Sequence, residues 1–106
     1  MFARVTMFEI DMLRTSAEAA LERFKQSVLP AARKQPGYEG LYVFHTPGGK
    51  GCIVSLWATK EAAAAGEASG YYDQQLAQFV SFYKSPPGRE HYEVMLVDKV
   101  GVSEEQ

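Results

Sequence analysis

The chain of 106 residues, with 46% hydrophobic and 23% charged residues, has the size and composition of one globular domain, which excludes an intrinsically disordered protein. Its net charge of -2 lacks the basic excess that nucleic-acid binding requires. No apolar run approaches the ~20 residues that span a bilayer, and the amino terminus lacks the basic segment of a secretory signal. The one cysteine, Cys52, cannot form an internal disulfide. These features predict a cytoplasmic protein with neither a nucleic-acid nor a membrane partner.

The first elements in the chain are a predicted strand and a predicted helix. Phe2–Ile10 alternates in a way that leaves apolar residues on both faces of a strand. Thr15, with Glu18 three residues later, forms a capping box that predicts the start of a helix. The apolar stripe of this helix includes Phe24, and Pro30 predicts a kink or a restart of the helix because proline removes an amide donor and clashes with the preceding turn.

A hairpin follows in the segment Tyr38–Thr59, where two runs rich in β-branched and aromatic residues flank a Pro-Gly-Gly-Lys-Gly turn. Pairing of Thr46 with Gly51 would place His45 and Trp57 on opposite faces of the hairpin. Both faces would then be largely apolar, so both require a cover.

The second half predicts another helix and a last strand. Thr59 opens an alanine-rich helical region that breaks or is capped again near Ser69, and a helical pattern continues over residues 71–83. His91–Val100 has the pattern of the final strand, and residues 101–106 form a flexible tail. Residues 1–100 therefore form a single domain.

The order of the elements predicts an α+β fold of the ferredoxin-like β-α-β-β-α-β type. Its sheet would be four-stranded and antiparallel, with both helices on one face. Because all four strands present apolar residues on both faces, the face without helices would leave several hundred Å² of apolar surface bare. A second copy of the chain is the expected cover, which predicts a homodimer built as an α+β barrel.

Two segments carry a resemblance to a known family. The helix-ending QPGYEGLYVF and the WATKEAAAA that follows the third strand resemble the antibiotic biosynthesis monooxygenases, which are dimeric α+β barrels, and the resemblance extends over residues 2–100. It implies a pocket between sheet and helices in each subunit. Some members of the family oxygenate polycyclic phenols or quinols there without metal or flavin, so the resemblance implies no cofactor.

The haem-degrading branch of the same family is disfavoured. That branch uses an asparagine on the first strand, a tryptophan on the third and a histidine on the second helix. This chain has no asparagine, and Gly66 stands where the helix histidine is expected, so only Trp57 matches. Without an imidazole at that position, iron has no obvious axial ligand.

Two histidines are the candidate acid–base groups. An imidazole titrates near ~6.5, which suits removal of a proton from a phenol, and this assigns catalytic roles to His45 and His91. A purely structural role is the alternative for both histidines, since His45 ends a strand beside a turn and His91 begins the last strand.

The candidate substrate-binding residues are aromatic or basic. An aromatic ring stacks on an aromatic substrate, and a guanidinium contacts an anionic one. Packing in the core or exposure to solvent is the alternative role for each of them. The candidates are Trp57, Tyr72, Phe24 and Arg89.

Two functions are compatible with these residues. The first is a cofactor-independent monooxygenase, an oxidoreductase acting on a small electron-rich aromatic such as a phenol or quinol. The second is a non-catalytic dimer that binds a small hydrophobic molecule or acts in a stress response. The chain lacks a compact acid–base constellation, which favours the second, and a fold alone does not decide between them.

Overall fold

The computed structural model describes residues 1–68, 70, 74, 77, 83–84 and 88–98. Four antiparallel strands form one sheet in the order β2-β3-β1-β4. This arrangement confirms the predicted α+β fold. Most of the predicted helical segment 71–83 and the whole tail 101–106 lie outside the described residues. The strands are β1 Phe2–Glu9, β2 Tyr38–His45, β3 Lys50–Trp57 and β4 Gly88–Glu93, and the helices are α1 Ala17–Arg23, α2 Leu29–Arg33 and α3 Lys60–Ala68.

Helix α1 begins one residue later than predicted. The Oγ of Ser16 accepts a hydrogen bond from the amide of Ala19 at 3.0 Å, so Ser16 is the cap and the predicted capping box of Thr15 with Glu18 is wrong. The cap satisfies one of the amides that a helix leaves unpaired at its first turn. Either hydroxyl residue could serve in sequence, and in the structure the backbone at Ser16 has the extended conformation that is typical of a cap.

The predicted break at Pro30 takes the form of a π-helical turn, Phe24–Val28, between α1 and α2. The amide of Leu29 donates to the carbonyl of Phe24, five residues earlier. Pro30 has no amide and its ring would collide with a carbonyl four residues back in a regular helix, so the wider turn accommodates it. The π-helical turn continues directly into helix α2, with no loop between them.

The hairpin register differs from the prediction by one residue. His45 pairs with Gly51, and the amide of Thr46 donates to the carbonyl of Lys50 at 2.7 Å. The predicted pairing of Thr46 with Gly51 assumed a longer turn. The actual turn is short because Gly49 adopts a φ of 97°, which only glycine adopts without strain.

This correction reverses a prediction about the site. A shift of one residue moves a strand's side chains to the other face of the sheet. His45 and Trp57 therefore lie on the same face, the one that the helices cover, and the prediction that they lie on opposite faces is wrong.

Strand β4 is also displaced from its predicted position. The strand pairs with β1 from Gly88 to Glu93 instead of running over His91–Val100. Its last pair is Glu93 with Phe2, the first residue of β1, and the amide of Val94 donates one more hydrogen bond, to the carbonyl of Met1 at 3.0 Å.

The core lies between the helices and the covered face. Phe24 and Val28 of the π-helical turn form its buried centre, and Leu41 and Ile53 of the hairpin pack against them. The opposite face of the sheet is largely apolar, and the side chains of Met7, Tyr42, Phe44 and Tyr92 there are about half exposed. The prediction of apolar residues on both faces is wrong for β4, which carries Glu90 on this face and charged or polar residues on the covered one. No helix in the described part of the chain is long and apolar enough to cross a membrane.

Candidate functional site

An apolar cavity of about 250 Å³ lies between helix α1 and the covered face of the sheet, and His45 is on its wall. We call it the His45 cavity. Small side chains at Ala17 and Ala20 leave the space that larger residues would fill. Glu18, Tyr83 and His45 supply the polar atoms of the wall. The rest is formed by Phe8, Ile10, Leu21, Phe24, Val43 and Ile53.

The hydrogen bonding of His45 defines which of its nitrogens carries the proton. Nδ1 lies 3.1 Å from the carbonyl oxygen of Thr46. A carbonyl oxygen only accepts, so Nδ1 donates and the neutral ring keeps its lone pair on Nε2. His45 is exposed, so a proton that Nε2 accepts can pass on to solvent. The ring is thus a base whose tautomer is fixed by the backbone.

A second cavity, of about 560 Å³ and more open, lies between helix α3 and strand β4. We call it the basic cavity. Lys60, Arg89 and His91 line it together with Glu67, the only acid among the described lining residues. Nε2 of His91 donates to Oε2 of Glu67 at 2.5 Å, and Nε of Arg89 is 3.9 Å from Oε1 of the same carboxylate.

Glu67 also reaches into the core, where it meets a buried arginine. Arg4 is only 2% exposed, and its Nη1 donates to Oε2 of Glu67 at 3.1 Å. Partial burial raises the pKa of Glu67, but hydrogen bonds from His91 and Arg4 and the charges of both lower it, and the net pKa lies below the ordinary 4.5. Glu67 is therefore an ionised link between α3, β1 and β4.

Trp57 is completely buried behind this link. Its Nε1 donates to Oγ of Ser55 at 3.0 Å, the guanidinium of Arg4 lies 5.1 Å from its ring centre, and Tyr38 packs edge-on at 5.6 Å. Trp57 is 0% exposed and lines neither cavity. This position is that of a core residue, and contact of Trp57 with a substrate stays a prediction.

Gly66 lies directly against Trp57. A Cβ at this position would stand 3.3 Å from Cη2 of the indole, closer than side chains ordinarily approach. Gly66 occupies the position where the family resemblance leads us to expect a histidine, and the indole of Trp57 packs directly against it. The chain therefore has no axial imidazole for a haem at this position.

The structure separates the predicted site residues into two groups. His45 and Phe24 line the His45 cavity, whereas His91 and Arg89 line the basic cavity. Both groups lie on the covered face, but the spacing of residues and strands puts the two histidines roughly 20 Å apart. They belong to separate sites. Tyr72 lies outside the described residues.

Sequence reasoning missed Arg4 and Glu67. Each carried a usable signal: Arg4 is a charge in the middle of a mostly apolar strand, and Glu67 follows an alanine run in a helix. A buried charge requires a partner of opposite sign, which would have predicted a pair between them.

The described residues contain no group of three His, Cys, Asp or Glu side chains that could hold a metal ion. No family model and no curated protein sequence matches the chain. Similarity is found only with solved structures.

Three of these structures cover nearly the whole chain. The monooxygenase ActVA-Orf6 of Streptomyces coelicolor, solved with nanaomycin D, is 15% identical with a TM-score of 0.72, over 93% of this chain and 91% of that one. SnoaB, a cofactor-independent oxygenase of Streptomyces nogalater, is 11% identical with a TM-score of 0.72, over 91% and 94%. NE2512 of Nitrosomonas europaea, a protein of unknown function, is 20% identical with a TM-score of 0.72, over 95% of each chain.

Identities this low carry the fold and not the activity. Within that limit the likeness agrees with the resemblance seen in the sequence. The chain has the fold of the antibiotic biosynthesis monooxygenases.

Proposed function

We propose that the protein is a cofactor-independent monooxygenase that oxidises a small electron-rich aromatic molecule, a phenol or quinol, in the His45 cavity. The observation that carries the proposal is an apolar cavity with a histidine of fixed tautomer on its wall. The likeness to SnoaB and to the complex of ActVA-Orf6 with nanaomycin D supports it.

The volume of the cavity sets the size of the substrate. An apolar cavity of about 150 Å³ already holds benzene. The His45 cavity, at about 250 Å³, has room for one or two fused rings. Its largely apolar wall favours a flat aromatic molecule, and the few polar groups of the wall, those of Glu18, His45 and Tyr83, suit polar substituents on the ring system.

In the proposed reaction His45 is the general base. Nε2 accepts the phenol proton, and the phenolate then passes one electron to dioxygen. The resulting radical pair forms a carbon–oxygen bond, giving a hydroperoxide. The oxygen–oxygen bond breaks as water leaves, and the carbon that bound oxygen becomes the second carbonyl of a quinone.

The electrons of this reaction balance without a cofactor. The substrate loses its phenolic hydrogen and one ring hydrogen, and both end in the water. One oxygen atom enters the quinone and the other becomes water, so all four electrons that reduce dioxygen come from the substrate. The protein's part is to bind the ring, remove the first proton and keep water from the radical pair.

The test measures oxygen uptake by metal-free protein with a panel of naphthols and hydroquinones. We expect His45→Gln to lower kcat by about 10²- to 10⁴-fold, as loss of a general base does, with a smaller change in KM. Lys25→Gln, on an exposed position of the π-helical turn, is the control and should retain full activity. Undiminished turnover by His45→Gln would remove this residue from the mechanism.

The alternative is a non-catalytic protein that binds an aromatic ligand in the same cavity. One observation favours it: among the residues that the structure describes, His45 is the only imidazole on the cavity wall, and no acid is bonded to it to orient the ring. A binding protein would take up the naphthol and consume no oxygen. Because Trp57 lies outside the cavity, calorimetry reports this binding better than tryptophan fluorescence does.

The proposal includes a homodimer formed through the open face of the sheet. The support is the row of half-exposed aromatic and aliphatic side chains on that face, where Tyr42 and Phe44 stack at 6.1 Å. Met95 and Leu96, which follow the end of β4 in the chain, are also exposed apolar residues. A cytoplasmic location remains a prediction from the sequence.

A further inference from the structure

We propose that the basic cavity is a second ligand site, which binds a small organic anion: a carboxylate attached to a short apolar body. The site is separate from the His45 cavity and does not depend on the oxygenase reaction. It is assembled from one face of helix α3, one face of strand β4 and the first residue of β1.

The spacing of the lining residues brings them to one place. Lys60, Ala64, Glu67 and Ala68 recur at the three- and four-residue intervals that share a helix face. Arg89 and His91 are two residues apart on β4, so both point to the covered face of the sheet. The two faces meet around the cavity.

The charge of the cavity favours an anion. One carboxylate, Glu67, is shared among Arg89, His91 and the buried Arg4, and Lys60 adds a further positive charge at the rim. The described lining is therefore basic, although the chain as a whole carries a net charge of -2. A basic pocket in an acidic protein attracts and concentrates small anions.

The geometry is prepared before a ligand binds. The ion pair between Glu67 and Arg4, at 3.1 Å, joins α3 to β1, and the bond from His91 to Glu67 joins β4 to the same carboxylate. Nε of Arg89 lies 3.9 Å from Oε1 of the same carboxylate, and the donors of a planar guanidinium match the geometry of the two oxygens of a carboxylate ligand. Because the three elements that carry these side chains are already joined, less freedom is lost on binding than in a site whose elements are unlinked.

The remaining wall of the basic cavity is apolar, so it favours an anion that carries an apolar group. Phe2, Ala64 and Ala68 form this part, and the ring of Phe2 stacks on His91 at 6.4 Å between centres. The methyl groups of the two alanines leave room beside the aromatic ring. An inorganic anion would not use this surface, whereas a ring or short chain on a carboxylate would.

The test is calorimetric binding of benzoate to the full chain, compared with benzyl alcohol and inorganic phosphate. We expect benzoate to bind at least tenfold more tightly than either. Arg89→Gln and Lys60→Gln should each weaken benzoate binding by about tenfold, while Arg14→Gln, an arginine at an exposed site outside the cavity, should leave it unchanged. The Ala20→Leu variant, which narrows the His45 cavity, should also leave it unchanged.

Three results would overturn the proposal. Equal affinities for benzoate and benzyl alcohol would show that the charge is not recognised. Phosphate binding as tight as benzoate binding would show that the apolar wall is not used. Equal benzoate affinities of Arg89→Gln and Arg14→Gln would place the anion elsewhere. Since no turnover is measured, these outcomes are independent of whether the His45 cavity catalyses oxygenation.

Discussion

The residues that make the His45 cavity are distinguished by their size as much as by their chemistry. Ala20 is 8% exposed and lies on the cavity wall, whereas its neighbour Ala19 faces solvent on the same helix. The two alanines thus provide a matched pair. A larger side chain would project into the cavity from position 20 and into solvent from position 19.

We predict that Ala20→Leu raises the KM or the dissociation constant for a naphthol by at least tenfold. The added side chain occupies space that the ligand needs, and the existing cavity of about 250 Å³ lets it fit at little cost in stability. Ala19→Leu should change neither value. Titration calorimetry with both variants checks this, and equal affinities of the two variants would place the ligand outside the cavity.

Residue types alone identified His45 and Phe24, which do share a cavity, since acid–base capacity and helical spacing are both visible in a sequence. Residue types did not show whether Trp57 lies in the core or on a pocket wall, because an aromatic residue at a strand end packs in a core as readily as it lines a pocket. The indole of Trp57 packs against helix α3 because Gly66, nine residues later, has no side chain in that space. This contact is visible only in the folded structure.

At the scale of elements, helix α3 and strand β3 are fitted together through Gly66 and Trp57. We predict that Gly66→Ala costs about 1 kcal/mol of stability, because overpacking against the pinned indole exceeds the gain in helix propensity. In a Trp57→Phe background the same change should stabilise by up to about 1 kcal/mol, since the outer ring of the indole is gone. Chemical denaturation of the double-mutant cycle tests this, and an unchanged sign would contradict it.

Glu67 links three elements, and its ionisation should appear in the pH dependence of stability. A pKa held below 4.5 in the folded state means that the ionised carboxylate stabilises the fold. That contribution is complete above 4.5, the ordinary value of the unfolded chain, and is lost as the pH falls through the lower folded value.

We therefore predict that Glu67→Gln lowers the free energy of unfolding by about 1–3 kcal/mol at neutral pH, because a charged hydrogen bond to Arg4 is weakened. The difference from the wild type should shrink as the pH falls below 4.5. Urea unfolding over this range measures it. A difference that stays constant with pH would show that the charge of Glu67 is not what stabilises the link.

The order and type of these elements could be predicted from sequence, since apolar periodicity and glycine- or proline-rich turns determine them. The registers could not. The slip at the hairpin depends on Gly49 adopting a positive φ, and the displacement of β4 follows its pairing with β1 from Gly88 to Glu93. Each register depends on which residues of two strands are paired, and the apolar periodicity of one strand carries no information about its partner.

At the scale of the whole molecule, the open face is the feature that a single chain leaves unexplained. We predict that Phe44→Glu, at the stacked aromatic pair, converts a dimer to a monomer, because it places a charge on each copy within the shared apolar surface. Leu13→Glu is the control, since Leu13 is 98% exposed and lies outside the sheet. Sedimentation velocity distinguishes the species, and a monomeric wild type would exclude the dimer.

The central claim is that dioxygen reacts with an aromatic molecule held in the His45 cavity. The most direct measurement is mass spectrometry of the product formed by metal-free protein from a naphthol under isotopically labelled dioxygen. The account predicts one labelled oxygen atom in each quinone, and a rate of labelling that falls by at least a hundredfold in His45→Gln. A naphthol that binds but gains no labelled oxygen would contradict the account and identify the protein as a binding protein.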